Sequence, residues 1–158
     1  MKPFRNMKRI PALLAVLAAT LLSAPVFAGD DRPLTVQELP AAAQQFLRSC
    51  FPSDNKEHKI AYATVDDDWF DREYKVVFVD GSKVEFDRKG EWKQVECKYG
   101  RVPLSIVPQQ IQAALADLYG DYVVVGIERD RREYEVKLSN RLEVTFDRST
   151  FRIIDIDD

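Results

Sequence analysis

Few side chains in this sequence could do chemistry, and their spacing excludes more than it offers. The chain has one histidine, His58, so no site that needs two imidazole ligands can form. A lone histidine in a loop also leaves little room for a Ser-His or Cys-His nucleophile. No glycine run suited to cradling a phosphate and no Gly-x-Ser-x-Gly turn occurs. A pair of carboxylates would be enough for glycoside hydrolysis, but small meandering strands offer no obvious deep pocket for one. The expectation is a protein that is not an enzyme and needs no cofactor. The acids 66–68, followed by Asp71 and Glu73, could supply oxygen ligands to Ca²⁺, with Asp66, Asp68 and Asp71 as the ligand set. The pattern fails the calcium-loop spacing, because Phe70 takes the third ligand position and no glycine follows. A charged hairpin tip is the plainer reading. Trp69 and Phe70 stand in that tip and would either enter a partner's cleft or fold back over Trp92; Arg131 and Arg132 occupy the corresponding later turn.

Before these residues stands a leader. Lys2, Arg5, Lys8 and Arg9 precede an apolar run over 10–24, and Val26-Phe27-Ala28 supplies a cleavage site. This order is that of a secretory signal peptide over residues 1–28. The run is shorter than the ~20 residues of a spanning helix, and no cysteine follows to carry a lipid. A periplasmic or secreted product, not embedded in the membrane, is expected. The leader holds four basic residues and no acid, so the remainder is more acidic than the net −3 of the whole chain. That balance argues against nucleic acid or an anionic membrane surface as a partner.

Two stretches of the remainder match each other. Leu39-Pro40 opens a run with Ala43, Phe46, Leu47 and Cys50 at helical spacing; Val107-Pro108 opens one with Ile111, Ala114, Leu115 and Leu118 at the same offsets. Both stripes bury one helical face. Alternating segments follow: 73–78 matches 133–138, and Val84-Glu85-Phe86-Asp87-Arg88 matches Val144-Thr145-Phe146-Asp147-Arg148. Residues 92–97 are matched to 151–156, and a further strand precedes each set. The expected fold is α+β: two tandem repeats, 34–98 and 104–158, each a helix plus a four-stranded antiparallel sheet, with the sheets joined into one curved layer and the helices on one face. Cys50 and Cys97 then align with apolar Leu118 and Ile156, so both should face the helix–sheet layer. They are expected either to form a disulfide, worth ~3–4 kcal/mol on the chain-entropy model, or to remain two buried thiols. A period of two places the remaining side chains opposite the helices. There Tyr62, Val77, Val79, Trp92, Tyr122, Phe151 and Ile153 would form an apolar surface, which either binds a partner or is covered by another part of the chain.

The paired Leu-Pro and Val-Pro helices, each followed by strands carrying Glu-Tyr-x-Val and Phe-Asp-Arg, resemble the PepSY-like periplasmic proteins, which are similar in fold to the beta-lactamase inhibitory protein. The resemblance implies helices on the convex face of a curved sheet and a concave face that binds a secreted or envelope protein or peptide, with an inhibitory role towards a secreted enzyme. It brings no catalytic residues. A calcium- or small-ligand-responsive envelope sensor built on the acids near residue 66 is the alternative.

Overall fold

The computed structural model of the protein describes residues 31–67 and 71–158. The expected signal peptide and Asp68, Trp69 and Phe70 lie outside the described residues. A short strand β1 (Arg32–Leu34) leads into helix α1 (Ala41–Cys50), and strands β2 (Ile60–Asp67), β3 (Arg72–Phe78), β4 (Lys83–Phe86) and β5 (Trp92–Glu96) follow. Helix α2 (Gln109–Tyr119) precedes β6 (Val124–Arg129), β7 (Glu133–Leu138), β8 (Glu143–Asp147) and β9 (Ile153–Asp157).

These strands form one nine-stranded antiparallel sheet in sequence order. This corrects the expected pair of helix-plus-four-stranded repeats. Strands β5 and β6 pair through Gln94–Glu128, Val95–Ile127 and Glu96–Gly126, so the edges that two separate sheets would expose are joined. The connection after β5 continues the seam, with Cys97 and Val102 donating their N–H groups to the Val125 and Val124 carbonyls at 2.8 and 2.9 Å. Strand β1, paired with β2 through Pro33–Thr64 and its neighbours, adds a ninth strand. It is too short and too proline-marked for its own alternation to reveal it.

Both helices begin at a proline, whose missing N–H would have no partner in the first turn. Neither has a side-chain cap at that proline. Instead Gln44 Nε2 donates to the carbonyls of Leu39 and Gln37, and Gln112 Nε2 donates to those of Val107 and Leu104, at 2.8–3.1 Å. A glutamine four residues after each proline thus ties each helix to the strap before it. The helices bury Ala43, Leu47, Ile111 and Leu115 against Val76, Phe78, Val84, Phe86, Val95, Val136, Leu138, Val144 and Phe146. Val102, Ile106 and Val107 close the gap between them within the same core. Each of these Val, Leu, Ile and Phe side chains contributes ~1.5–3 kcal/mol by leaving water.

The turns are held by their first acid. Asp87 Oδ1 accepts from the N–H groups of Lys89 and Glu91, and Asp130 Oδ1 from those of Arg132 and Glu133. Asp147 Oδ1 accepts from the backbone and the hydroxyl of both Ser149 and Thr150. These bonds, the Ser149 hydroxyl first, lower the Asp147 carboxyl to about 2 from an ordinary 3.8. Because the folded value lies below the unfolded one, the contribution is complete above ~4 and disappears as pH falls through about 2. Asp147→Ala should therefore melt below the wild type at pH 6, and the gap should close as the pH is lowered from 4 to 2. A gap that does not change with pH would mean that the turn does not depend on this carboxylate.

Candidate binding surface

Directly opposed residues of antiparallel strands share a face, so the register assigns every side chain to a side. Four irregularities decide the outcome. Ile60 pairs with Phe78 while Tyr62 pairs with Val77; Trp92 pairs with Phe86 while Gln94 pairs with Glu85. Val124 pairs with Leu138 while Gly126 pairs with Lys137, and Ile153 pairs with Phe146 while Asp155 pairs with Thr145. Each is a bulge, two residues advancing against one, and each returns the residue at the strand's outer end to the helix side. Ile60, Trp92, Val124 and Ile153 therefore pack against the core.

This corrects the apolar face expected from strict alternation. Trp92 stacks on Phe46 of α1 with centroids 6.4 Å apart, and the Arg129 guanidinium lies over its ring, 4.4 Å from the centroid. Phe151, at φ +55, stacks on buried Tyr134 at 6.2 Å. Ile153 is opposite Phe146 as Trp92 is opposite Phe86, so the last strands match one another two positions away from the sequence alignment. Tyr122 is 48% exposed, its ring 6.3 Å from that of Tyr119 at the end of α2. Tyr62 (42% exposed) and Val77 remain on the helix-free side, and Val79 is exposed just beyond β3.

What covers the helix-free face is charge, in two rows. One runs Thr64, Lys75, Glu85, Gln94, Glu128, Glu135, Thr145, Asp155. The other runs Tyr62, Val77, Lys83, Glu96, Gly126, Lys137, Glu143, Asp157. Towards β1 the signs alternate: Lys75 and Lys83 lie 3.8 and 3.6 Å from Glu85, and Lys83 lies 3.4 Å from Glu96. Towards β9 the rows turn acidic, and Lys137, 2.9 Å from Glu143, is their one base beyond β5. Glu128 directly faces Glu135, and Glu143 faces Asp157. Burial first and then Glu143 raise the Glu135 carboxyl, and Asp155 above all raises Asp157. Like charges set opposite one another cost stability, so folding alone gives no reason for this arrangement. The signal lies in the alternation of the strands, which sets Glu85, Glu96 and Glu135 on the same face as Tyr62 and Val77.

Cys50 and Cys97 are free thiols, which corrects the disulfide expected as one alternative: Cys50 Sγ contacts Ser105 Oγ at 4.0 Å, while Cys97 lies past β5 at a cleft of about 460 Å³ that His58 and Asp80 also line. Burial first, then Asp80, pushes the Cys97 thiol up to about 11, so it is protonated at neutral pH and a poor nucleophile. In the same cleft the Ser82 hydroxyl donates to Asp80 and accepts from the Lys98 N–H. His58 Nδ1 lies 3.3 Å from the Pro52 carbonyl. Among the acids proposed for calcium, Asp66 pairs across the ladder with Glu73, Asp71 accepts the Arg72 N–H, and Asp68 lies outside the described residues. Among the described residues no three His, Cys, Asp or Glu side chains gather as metal ligands, and no helix is long and apolar enough to cross a membrane.

Comparison with known proteins agrees with the fold. The family model described as "Putative beta-lactamase-inhibitor-like, PepSY-like" matches residues 72–155. A protein of Bacteroides vulgatus, described as a "putative periplasmic protein" of the DUF2874 family, is 48% identical, with a TM-score of 0.77 over 84% of this chain and 100% of its own. The chain belongs to the PepSY-like family. A second relative, from Bacteroides thetaiotaomicron and described as a "putative calcium-regulated periplasmic protein", is 46% identical to this PepSY-like chain, with a TM-score of 0.76 over 82% of it and 98% of its own length. A further Bacteroides vulgatus protein, of unknown function, is 35% identical at a TM-score of 0.73 and covers 81% of the PepSY-like chain. No curated protein matches it.

Proposed function

We propose that this PepSY-like protein is exported to the periplasm by a cleaved leader and acts there as a non-enzymatic binding protein. Its helix-free face captures a secreted or envelope protein that presents a basic surface. The description of its family favours inhibition of a secreted enzyme as the outcome of that capture. The observation that carries the reading is the opposed pairs Glu128–Glu135 and Glu143–Asp157. A self-repelling acidic surface on an otherwise well-paired sheet is relieved by a cationic partner. Tyr62, Val77 and Val79 lie towards the other end of the face and would supply its apolar contacts.

The test joins stability to capture. Replacing Glu128 and Glu135 with Gln should raise the melting temperature by roughly 1–4 °C, since a like-charge pair is removed. The same variant should hold the partner from an envelope extract roughly tenfold more weakly. A gain in stability with unchanged capture would mean that the acids serve no partner. The calcium-regulated description of one relative favours a second reading, in which acids near Asp66 make the face responsive to Ca²⁺. If so, ~1 mM Ca²⁺ must raise the melting temperature, because a ligand of the folded state stabilises it, and Asp66→Asn must cancel the rise. Under the first reading capture is the same in calcium and in chelator.

A further inference from the structure

The end of the sheet where the β4–β5, β6–β7 and β8–β9 turns come together carries the opposite charge to the acidic face. These turns and the strand ends beside them line an open cleft of about 820 Å³, with seven basic and four acidic residues at its wall, in a chain whose net charge is −3. Asp87 and Asp130 each hold their own turn through backbone N–H groups and Asp71 accepts the Arg72 N–H, while among the bases Lys93 is already paired with Glu73. Glu91, 64% exposed, lies 3.7 Å from Arg129. Arg88 and Lys89 on the first turn and Arg131 and Arg132 on the second are exposed and make no ion pair with a described residue.

Two arginines are set in position before any ligand arrives. Arg129 lies over the Trp92 ring at 4.4 Å and donates through Nη2 to the Trp92 carbonyl at 2.7 Å. Arg148 donates to the Asp130 carbonyl and sits 5.9 Å from the Tyr134 ring. Each keeps further N–H groups for a planar, two-oxygen acceptor, and the guanidinium fork matches a carboxylate. The first two turns are two strands apart, ~10 Å at ordinary strand spacing. No single small anion spans that distance, whereas an extended peptide with acids along it does.

We propose that this cleft binds an acidic, extended peptide segment of a partner protein, with Arg129 and Arg148 as the oriented contacts and Arg131, Arg132, Arg88 and Lys89 as the surrounding field. The surface is distinct from the helix-free face, and the inference stands or falls separately from the proposal made for that face.

The probe is a fluorescein-labelled octaglutamate peptide titrated against the folded protein, with octaglutamine as the neutral control and vesicles of anionic phospholipid as a competing source of charge. Wild type should bind octaglutamate and not octaglutamine, and binding should weaken with added salt. The variant Arg131→Glu/Arg132→Glu, both side chains exposed, should keep its melting temperature and weaken octaglutamate binding roughly tenfold or more. Glu128→Gln/Glu135→Gln should leave that binding unchanged. Equal binding of the neutral peptide, no loss on charge reversal, or attachment to the vesicles alone would overturn the proposal.

Discussion

Gly90→Ala should cost this protein about 2–5 kcal/mol, the sum of a left-handed backbone imposed on an L side chain and an overpacked contact. Gly90 is buried at φ +83 in the turn that joins β4 to β5. That turn lies against the start of α1 so closely that an added Cβ would stand 2.7 Å from Pro40 Cβ and 2.8 Å from the backbone nitrogen of Ala43. Neither atom can swing aside, because Ala43 is fully buried and its helix is held by Gln44. For a domain stable by ~5–15 kcal/mol this is a large share. Gly81→Ala is the matched control. Its φ is +88, but the nearest atom to its Cβ is the Lys98 Cδ at 3.0 Å, and a lysine can move. Only the backbone cost, ~1–2 kcal/mol, should remain there. Urea midpoints of the two variants compare them directly, and equal losses would mean that the turn does not press on α1.

Trp92→Ala should also unfold easily, losing about 2–4 kcal/mol, somewhat below a fully buried tryptophan because the ring is partly exposed. The ring touches both Phe46 and the Arg129 guanidinium, so its loss loosens α1 and frees Arg129 together. Sequence alternation leads to the opposite expectation, a surface anchor whose removal spares the fold. Thermal melting separates the two: a variant as stable as the wild type would return Trp92 to the solvent side.

That contrast shows where sequence reasoning reached and where it stopped. The helices were legible because their stripes and opening prolines are local, and the strands of the two halves because their alternating segments match one another. The bulges were not legible. A bulge leaves no mark in the residue types of a strand but reverses the face of everything beyond it, and so Trp92 and Ile153 lie on the side opposite to the one that strict alternation gives them. The register of the seam between β5 and β6 was hidden for another reason: α2 separates those strands in sequence, and nothing in either says which residues of the other it meets. With the aromatic residues turned inward, the remaining face reads in charges. The Glu128–Glu135 opposition became meaningful only once the register set the two side by side.

Site-specific photo-crosslinking in the periplasm tests the proposed use of that face most directly. A photoreactive amino acid is placed in turn at Lys75 and Lys137 on the helix-free side, and at Gln45 and Asp117, exposed on the two helices. Irradiation should join a partner protein to positions 75 and 137 and leave 45 and 117 unlinked. Adducts from the helix positions, with none from the charged rows, would contradict the assignment.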